Sequence, residues 1–510
     1  MKNIDVLFIN PNSSKKSYQD LANNFSAIEP PTWSLLLAEA VRSKRFNPSI
    51  LDCDAERLDD EEAVKRTLKV NPRLILFVVY GQNPNSGTTN MSGVISLASA
   101  LKKRTNKPIS IVGSHASALP MEVLGYDCFD IVLLNEGVYS LLNLLNSNLN
   151  SDLNKIKGIG YKKVGPANFK VPTLNPPEMI VPQSKMDTDL PGYAWDLLPF
   201  KNKPLDLYRA HFWHANFDYD QRTPFAAIYT SLGCNFGCDF CMINIINRNS
   251  NDLHADASNF RGMRFWSPEW VLRELIKLSN LGVKTLRISD EMFFLNRKYY
   301  EPVLKKIIEN KLEFNMWAYS RIDTVREDML ELFKNAGVNW LALGVEAGNQ
   351  TVRQEVSKGS FKEINIRDIC NKIQKYNINI ISNYIFGFPQ DTIETMQETL
   401  NLALELNTEM ANMYPCQALP GSPIHNEAKN KKWKLPDTFE GYGFLSYECQ
   451  PLPTNYLKAE DVLKFRDDAW LKYFTNKDYL QLVEDKFGSK QKKNVIEMSK
   501  IKLKRKILGD

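Results

Sequence analysis

Between residues 226 and 416, six short apolar runs alternate with stretches of helical period, and this alternation points to a parallel sheet. Parallel neighbours cannot be joined by a tight turn, because the chain must cross back over a dozen or more residues before pairing again. The runs fall at 226–230, 285–289, 313–319, 340–345, 379–386 and 410–416. The first helix opens with Ser267-Pro268-Glu269: an N-cap hydroxyl, a proline at the first helical position and an acid in the first turn. Trp270, Val271, Leu275, Ile276 and Leu278 then keep helical spacing until Gly282. Further helices are expected at 303–308, 327–335, 364–375 and 393–406.

The first run leads straight into Ser231-Leu-Gly-Cys-Asn-Phe-Gly-Cys-Asp-Phe-Cys-Met242. Cys234, Cys238 and Cys241 can reach one metal centre from a single loop. A tetrahedral zinc site needs a fourth ligand, and no Cys or His follows at zinc-finger spacing. On a four-iron cluster three thiolates leave one iron open to a substrate or cofactor. Purely structural cysteines, or a zinc site completed from elsewhere, are the alternatives.

This spacing, with Phe240 before the last cysteine, resembles the radical S-adenosylmethionine (SAM) enzymes. The resemblance runs from the cysteines to about Gly421. It implies a 4Fe–4S cluster on the three cysteines, SAM chelated to the open iron, and a 5′-deoxyadenosyl radical on reduction. It also implies that the six strands curl into a partial barrel, a (β/α)6 variant of the TIM type, with active-site groups at the strand C-termini. Those ends read Ser289-Asp290-Glu291, Ala318-Tyr319-Ser320-Arg321, Leu343-Gly344-Val345-Glu346-Ala347-Gly348 and Phe386-Gly387-Phe388-Pro389. A zwitterionic ligand needs an acid near its ammonium, a base or hydroxyl near its carboxylate, and acceptors for its ribose. Phe240, Asp290, Glu291, Ser320, Arg321, Glu346 and Gly387 are therefore the candidate SAM contacts, with Gly344, Gly348 and Gly387 allowing close backbone approach.

The first 150 residues carry a second alternation, with strands at 4–9, 48–51, 74–79, 109–112 and 130–134. Helices are expected at 33–44, 61–70, 91–103 and 138–145. Continuous apolar strands between helices predict a doubly wound five-strand parallel sheet, which binds ligands at its strand carboxyl ends. Small polar loops stand there, and 113–120 and 136–137 are similar to loops of the cobalamin-binding domain in the cobalamin-dependent radical SAM branch. That resemblance implies cobalamin held by Asn10, Asn12, Ser86, Thr88, Thr89, Gly113, Ser114, His115, Glu136 and Gly137. The family's Asp-x-His-x-x-Gly loop is missing, since residues 10–19 contain no histidine. Cobalt would then lack a lower histidine ligand, or else the domain has degenerated and binds no corrinoid; His115 is read as a contact to the nucleotide tail. Methylthiotransferases place three cluster cysteines in this domain, but here it has only Cys53 and Cys128.

Domain boundaries are expected at 1–150 for the cobalamin-binding domain, 151–225 for a Pro/aromatic connector, 226–421 for the barrel and 422–510 for a helical C-terminal extension. The connector is rich in proline (Pro166, Pro172, Pro176, Pro177, Pro182, Pro191, Pro199) and in aromatics, so an ordered strap is expected rather than a flexible tether. The basic tail, with Lys500, Lys502, Lys504, Arg505 and Lys506, reads as a solvated helix end or as a patch for an acidic electron carrier or anionic membrane. Eight cysteines in 510 residues argue against a disulfide scaffold and for a reducing, cytoplasmic setting. No run approaches the ~20 apolar residues of a transmembrane segment, and no signal peptide is read. A net charge of +5 is too small to imply nucleic acid. The resemblance implies a methyltransferase acting on an unactivated carbon of a small-molecule or natural-product substrate, served by a reductase with flavodoxin or ferredoxin. A cyclase or oxidative rearrangement enzyme of the same branch is one alternative, and a non-catalytic corrinoid- or SAM-sensing protein is another.

Overall fold

The computed structural model describes residues 3–12, 18–81, 83–147, 149, 152–165, 170–253 and 255–510, the side chain of Asn23 excepted. Most of the loop after the first strand (13–17), Gln82 and Pro166 lie outside the described residues.

The N-terminal sheet is built from β1 (Val6–Asn10), β2 (Pro48–Asp52), β3 (Leu74–Val79), β4 (Ile109–Gly113) and β5 (Ile131–Leu133), all parallel in the order β2-β1-β3-β4-β5. Val6, Leu7, Phe8 and Ile9 are at most 1% exposed, as expected of a strand covered by helices on both faces. The sheet does not stop at five strands. An antiparallel hairpin, β6 (Ile159–Val164) and β7 (Lys170–Leu174), extends it to seven on the β5 side. Pro172 is tolerated because β7 is the edge strand and pairs only with β6.

The second sheet takes β8 (Phe225–Ile228), then β11 (Thr285–Ile288), β12 (Asn315–Arg321), β13 (Val338–Glu346), β14 (Asn379–Phe386) and β15 (Met410–Pro415), all parallel and in sequence order. Crossover helices such as Pro268–Asn280 and Ile393–Leu406 make the connections, the first with Ser267 accepting from Trp270 N as the cap motif predicts. A short antiparallel hairpin, β9 (Ser231–Cys234) with β10 (Gly262–Phe265), projects from the end of β8 and carries the cysteine loop.

Between the sheets the connector is packed rather than loose. Tyr193, Trp195, Tyr208 and Trp213 are each under 5% exposed, in one continuous core with Phe8 and Phe386. After Pro423–Asn430, the helices Ala459–Phe474, Lys477–Phe487 and Ser489–Ser499 lie against the barrel, with Phe487 stacked on Trp340 at 5.9 Å. The basic tail is not merely a solvated helix end. Residues 500–504 line an internal cavity, and Arg505, 1% exposed, is held by both oxygens of Asp467 at 2.9 Å. Among the described residues, no helix is long and apolar enough to cross a membrane.

Candidate functional site

The strand ends of both sheets open onto one cavity of about 1230 Å³. Cys234, Cys238 and Cys241 lie on its wall, all three free thiols and partly exposed. The loop that carries them is tied together by the side chain of Asn244. Asn244 accepts from Cys234 N at 2.8 Å and donates to the carbonyl of Phe236 at 3.0 Å. Two of the sulfurs have a donor, Phe236 N to Cys234 at 3.4 Å and Asn85 Nδ2 to Cys241 at 3.8 Å, while the nearby charge of Arg321 pulls the Cys238 thiol down against its burial. Asn85 comes from the other sheet, on the loop after β3, and its Oδ1 accepts from Met242 N at 3.1 Å. Burial raises the thiols, Cys234 to about 11 and Cys238 to about 12, so thiolates here need a compensating cation.

Five of the seven candidate SAM contacts line the cavity: Phe240, Glu291, Ser320, Arg321 and Glu346. Glu346 sits at φ +66, where the pairing of β13 with β14 shifts register, a conformation rare outside glycine and enriched at functional sites. Gly344 makes room for its carboxylate, since a Cβ there would fall 2.4 Å from Glu346 Oε1. Burial pushes Glu346 up to about 7, against the opposing pull of Arg321. Glu291 goes further, to about 8, through burial, opposed by Arg287 and reinforced by Asp290. Its Oε1 is a buried acceptor on the cavity wall with no hydrogen-bond partner among the described residues. Arg321 holds Asp323 through two bonds of 2.7 and 2.8 Å, and its guanidinium lies 3.8 Å over the ring of Phe236.

Two of the seven are placed elsewhere. Asp290 is fully buried and turned back toward the start of the cysteine loop, accepting from Thr230 N, Thr230 Oγ1 and Ser231 Oγ at 2.6 Å each. It braces the loop rather than facing a ligand. Gly387, at φ +85, is small because a Cβ would fall 2.3 Å from Val462 of the helix Ala459–Phe474. Gly348 likewise packs against the carbonyl of Glu398.

Of the ten candidate cobalamin contacts, the structure brings Ser86 and Thr89 to the cavity, together with Asn83 and Asn85 from the same loop and Tyr18, Leu21 and Phe25 from the segment after β1. The other eight point elsewhere. Asn10 donates to Asp52 at 2.7 Å and Asn12 to the carbonyl of Leu58 at 3.2 Å, fastening the chain around β2. Thr88 and His115 pair with each other at 3.2 Å, and the imidazole, 1% exposed, meets Phe439 edge-on at 5.2 Å. Gly113 packs on β3, where a Cβ would fall 2.3 Å from the carbonyl of Val79. Ser114 and Gly137 are buried behind it, Gly137 against Val112. Glu136, 1% exposed, is the partner of Arg264 at 2.7 Å and accepts from Val181 N. Strand order explains the split. In the order β2-β1-β3-β4-β5 the chain reverses direction between β1 and β3, and ligand crevices of doubly wound sheets open at that switch.

Residues 228–403 match the family model of the Radical SAM superfamily. The barrel is a radical SAM domain. The chain is 25% identical over 450 residues to an uncharacterized methyltransferase of Pyrococcus horikoshii, covering 87% of this chain and 88% of that protein. It is 24% identical to the anaerobic magnesium-protoporphyrin IX monomethyl ester cyclase of Rubrivivax gelatinosus, over 93% of this chain and 78% of that one. Two solved structures share the fold. The cobalamin-dependent SAM radical enzyme OxsB aligns with TM-score 0.68 at 14% identity, over 97% of this chain and 70% of its own. The radical SAM methyltransferase TsrM of Kitasatospora setae aligns with TM-score 0.63 at 16% identity, over 84% and 76%.

The side chains suit the cofactors of a radical SAM enzyme. Among the described residues no three His, Cys, Asp or Glu side chains converge on a point for a single ion. Among the described residues nothing donates to the buried oxygen of Glu291, which suits a ligand that brings donors.

Glu291 gives this radical SAM domain a stability signature. Its folded value lies above the ordinary carboxylate range, so the folded state keeps a proton that the unfolded state loses. The penalty is absent below about pH 4.5, grows as pH rises and is complete above about 8. In the metal-free protein, Glu291→Gln is expected to raise Tm at pH 8.5 and leave it unchanged at pH 4.5, measured by calorimetry. Equal Tm for the two proteins at both pH values would show that the carboxyl is not desolvated.

Proposed function

We propose that the chain is a cobalamin-dependent radical SAM enzyme that transfers a methyl group to an unactivated carbon of a small molecule or natural product. One observation carries this reading: a single cavity joins the three cysteines, the acids Glu291 and Glu346, and the β1 and β3 loops of the N-terminal sheet. When bound and reduced, the cluster and SAM supply a 5′-deoxyadenosyl radical, and the corrinoid supplies a methyl carrier.

The protein's part is to hold and shield. Cys234, Cys238 and Cys241 hold the cluster. Glu291 and Glu346 accept from the ammonium and ribose hydroxyls of SAM, and Ser320 and Arg321 face its carboxylate. Ser86, Thr89 and Asn83 would hold a corrin at the β1/β3 switch, whereas the β4 and β5 loops are spent on internal contacts and offer it nothing directly. Phe25, Phe212 and Trp213 keep the cavity wall apolar and water scarce. In this reading residues 1–150 serve the corrinoid and 226–421 the cluster and SAM. The segments 151–225 and 422–510 complete the substrate pocket, and electrons come from a flavodoxin- or ferredoxin-type donor or a reductase. The description of OxsB with aqua-cobalamin and SAM bound, and of TsrM with cobalamin and a 4Fe–4S cluster, supports the corrinoid part.

A cyclase or oxidative rearrangement is the second reading, favoured by the likeness to the R. gelatinosus cyclase over 93% of the chain. A sensing role fits poorly, because sensing needs no reducible cluster beside an unfilled acceptor.

The test uses the full chain, reconstituted anaerobically with iron, sulfide and hydroxocobalamin. The protein is expected to retain corrinoid through gel filtration, with a cob(II)alamin EPR spectrum free of nitrogen superhyperfine splitting. Residues 10–19 contain no histidine, and His115 is engaged with Thr88. Cluster-replete protein that retains no corrinoid would exclude methyl transfer through cobalt.

A further inference from the structure

The helix Ala459–Phe474 turns Arg466 into the same cavity. This arginine is 2% exposed, yet only part of its guanidinium is engaged. Nε donates to the carbonyl of Met413 at 2.6 Å and Nη1 to Asp467 at 2.7 Å, while Nη2 has no acceptor among the described residues. Asp467 is also the carboxylate that holds Arg505. Two buried guanidinium groups therefore lean on one acid. The nearby acids Asp468 and Asp510 are exposed at the cavity wall, and Asp510 accepts from the backbone N of Arg505 at 2.7 Å. A largely buried cation whose remaining donor reaches the cavity suits an anionic acceptor. The wall beside it is apolar: Phe444, whose ring centre lies 5.5 Å from the guanidinium carbon, then Trp470, Leu471, Met498, Ile501 and Leu503.

We propose that Arg466 is the anion-binding end of a substrate subsite, taking a carboxylate or phosphate oxygen of a ligand whose remaining body is apolar. The proposal rests on the radical SAM reading in assigning this ligand as the substrate, and it names the substrate class. Lys502 and Lys504, exposed on the tail, add only a screened attraction at the mouth. The same anion chemistry could belong to the SAM carboxylate or to a corrinoid phosphate, so the experiment separates these sources.

Cluster-replete full-length protein is titrated with 1-pyrenebutyrate and with 1-pyrenebutanol, followed by fluorescence anisotropy, with and without saturating SAM and hydroxocobalamin. The acid is expected to bind about tenfold more tightly than the alcohol, as a charge-assisted contact requires. Arg466→Met should erase that preference and leave alcohol binding unchanged, and Arg466→Lys should keep part of it. Lys502→Ala/Lys504→Ala should preserve it. SAM and hydroxocobalamin should leave it in place. Equal affinities in the parent protein, or a preference that survives in Arg466→Met, would overturn the proposal. Loss of the preference on adding SAM or hydroxocobalamin would also overturn it, by giving the guanidinium to that cofactor. Should Arg466→Met fail to fold, the parent protein and Arg466→Lys decide, an undiminished preference in the latter counting against the subsite. Cluster content and SAM cleavage, measured on the same samples, report separately on the radical SAM reading.

Discussion

Replacing any one of Cys234, Cys238 or Cys241 with alanine is expected to give a folded protein that assembles no 4Fe–4S cluster and cleaves no SAM. The three thiols are partly exposed on a cavity wall, so their removal leaves no core void, and the loop keeps its Asn244 bonds. A cluster with two thiolates exposes a second iron, and oxygen, chelators or water strip it. Cys53, Cys128, Cys370, Cys416 and Cys449 are buried and serve as small apolar fillers, so alanine there should leave cluster content intact. Iron and sulfide analysis, EPR after reduction, and 5′-deoxyadenosine release measure the contrast. A full cluster in any one of the three variants would sink the ligand assignment.

Arg321→Ala should be the most damaging change outside the cysteines. The side chain is 5% exposed and makes two bonds to Asp323, two to Ser360 and a face contact with Phe236. Its loss strands a buried carboxylate, which costs about 3–5 kcal/mol. Because Phe236 lies between Cys234 and Cys238, cluster assembly should fall together with SAM affinity. Arg321→Ala/Asp323→Ala should recover much of the stability but none of the SAM binding. Urea unfolding of the metal-free proteins and calorimetric SAM titration separate the two effects. A single variant as stable as the parent would show that the pair is not a buried strut.

The parallel strands were legible because continuous apolar runs, caps and helix-stopping glycines all agree, and β3 and β14 fall where the periodicity places them. The β6–β7 hairpin was not, since Lys162, Lys163, Lys170 and Pro172 read as linker until an existing sheet edge accepts them. At the site, residue type and strand-end position found Glu291, Ser320, Arg321 and Glu346. They could not tell Glu291 from Asp290, because adjacent residues at a strand end point to opposite sides. The same limit governs the N-terminal loops. Strand order, and not loop composition, decides that β3 faces the cavity and that His115 and Glu136 do not. Arg466 was not singled out, and the connector aromatics Phe212 and Trp213 and the basic tail were read without a place in the site, because only tertiary packing brings these segments to the cavity wall.

With a cluster on Cys241, Asn85 would give the N-terminal sheet a say in electron transfer. An N–H directed at a cluster sulfur favours the more negative, reduced state, so the driving force for the first electron would depend on a side chain from a different sheet. The same turn presents Ser86 and Thr89 to the cavity. Any occupant that shifts this turn changes how readily the cluster is reduced, and by thermodynamic reciprocity the reduced cluster changes the grip on that occupant by the same factor. Loading of the cavity and reduction of the cluster would then be coupled through one turn of the N-terminal sheet.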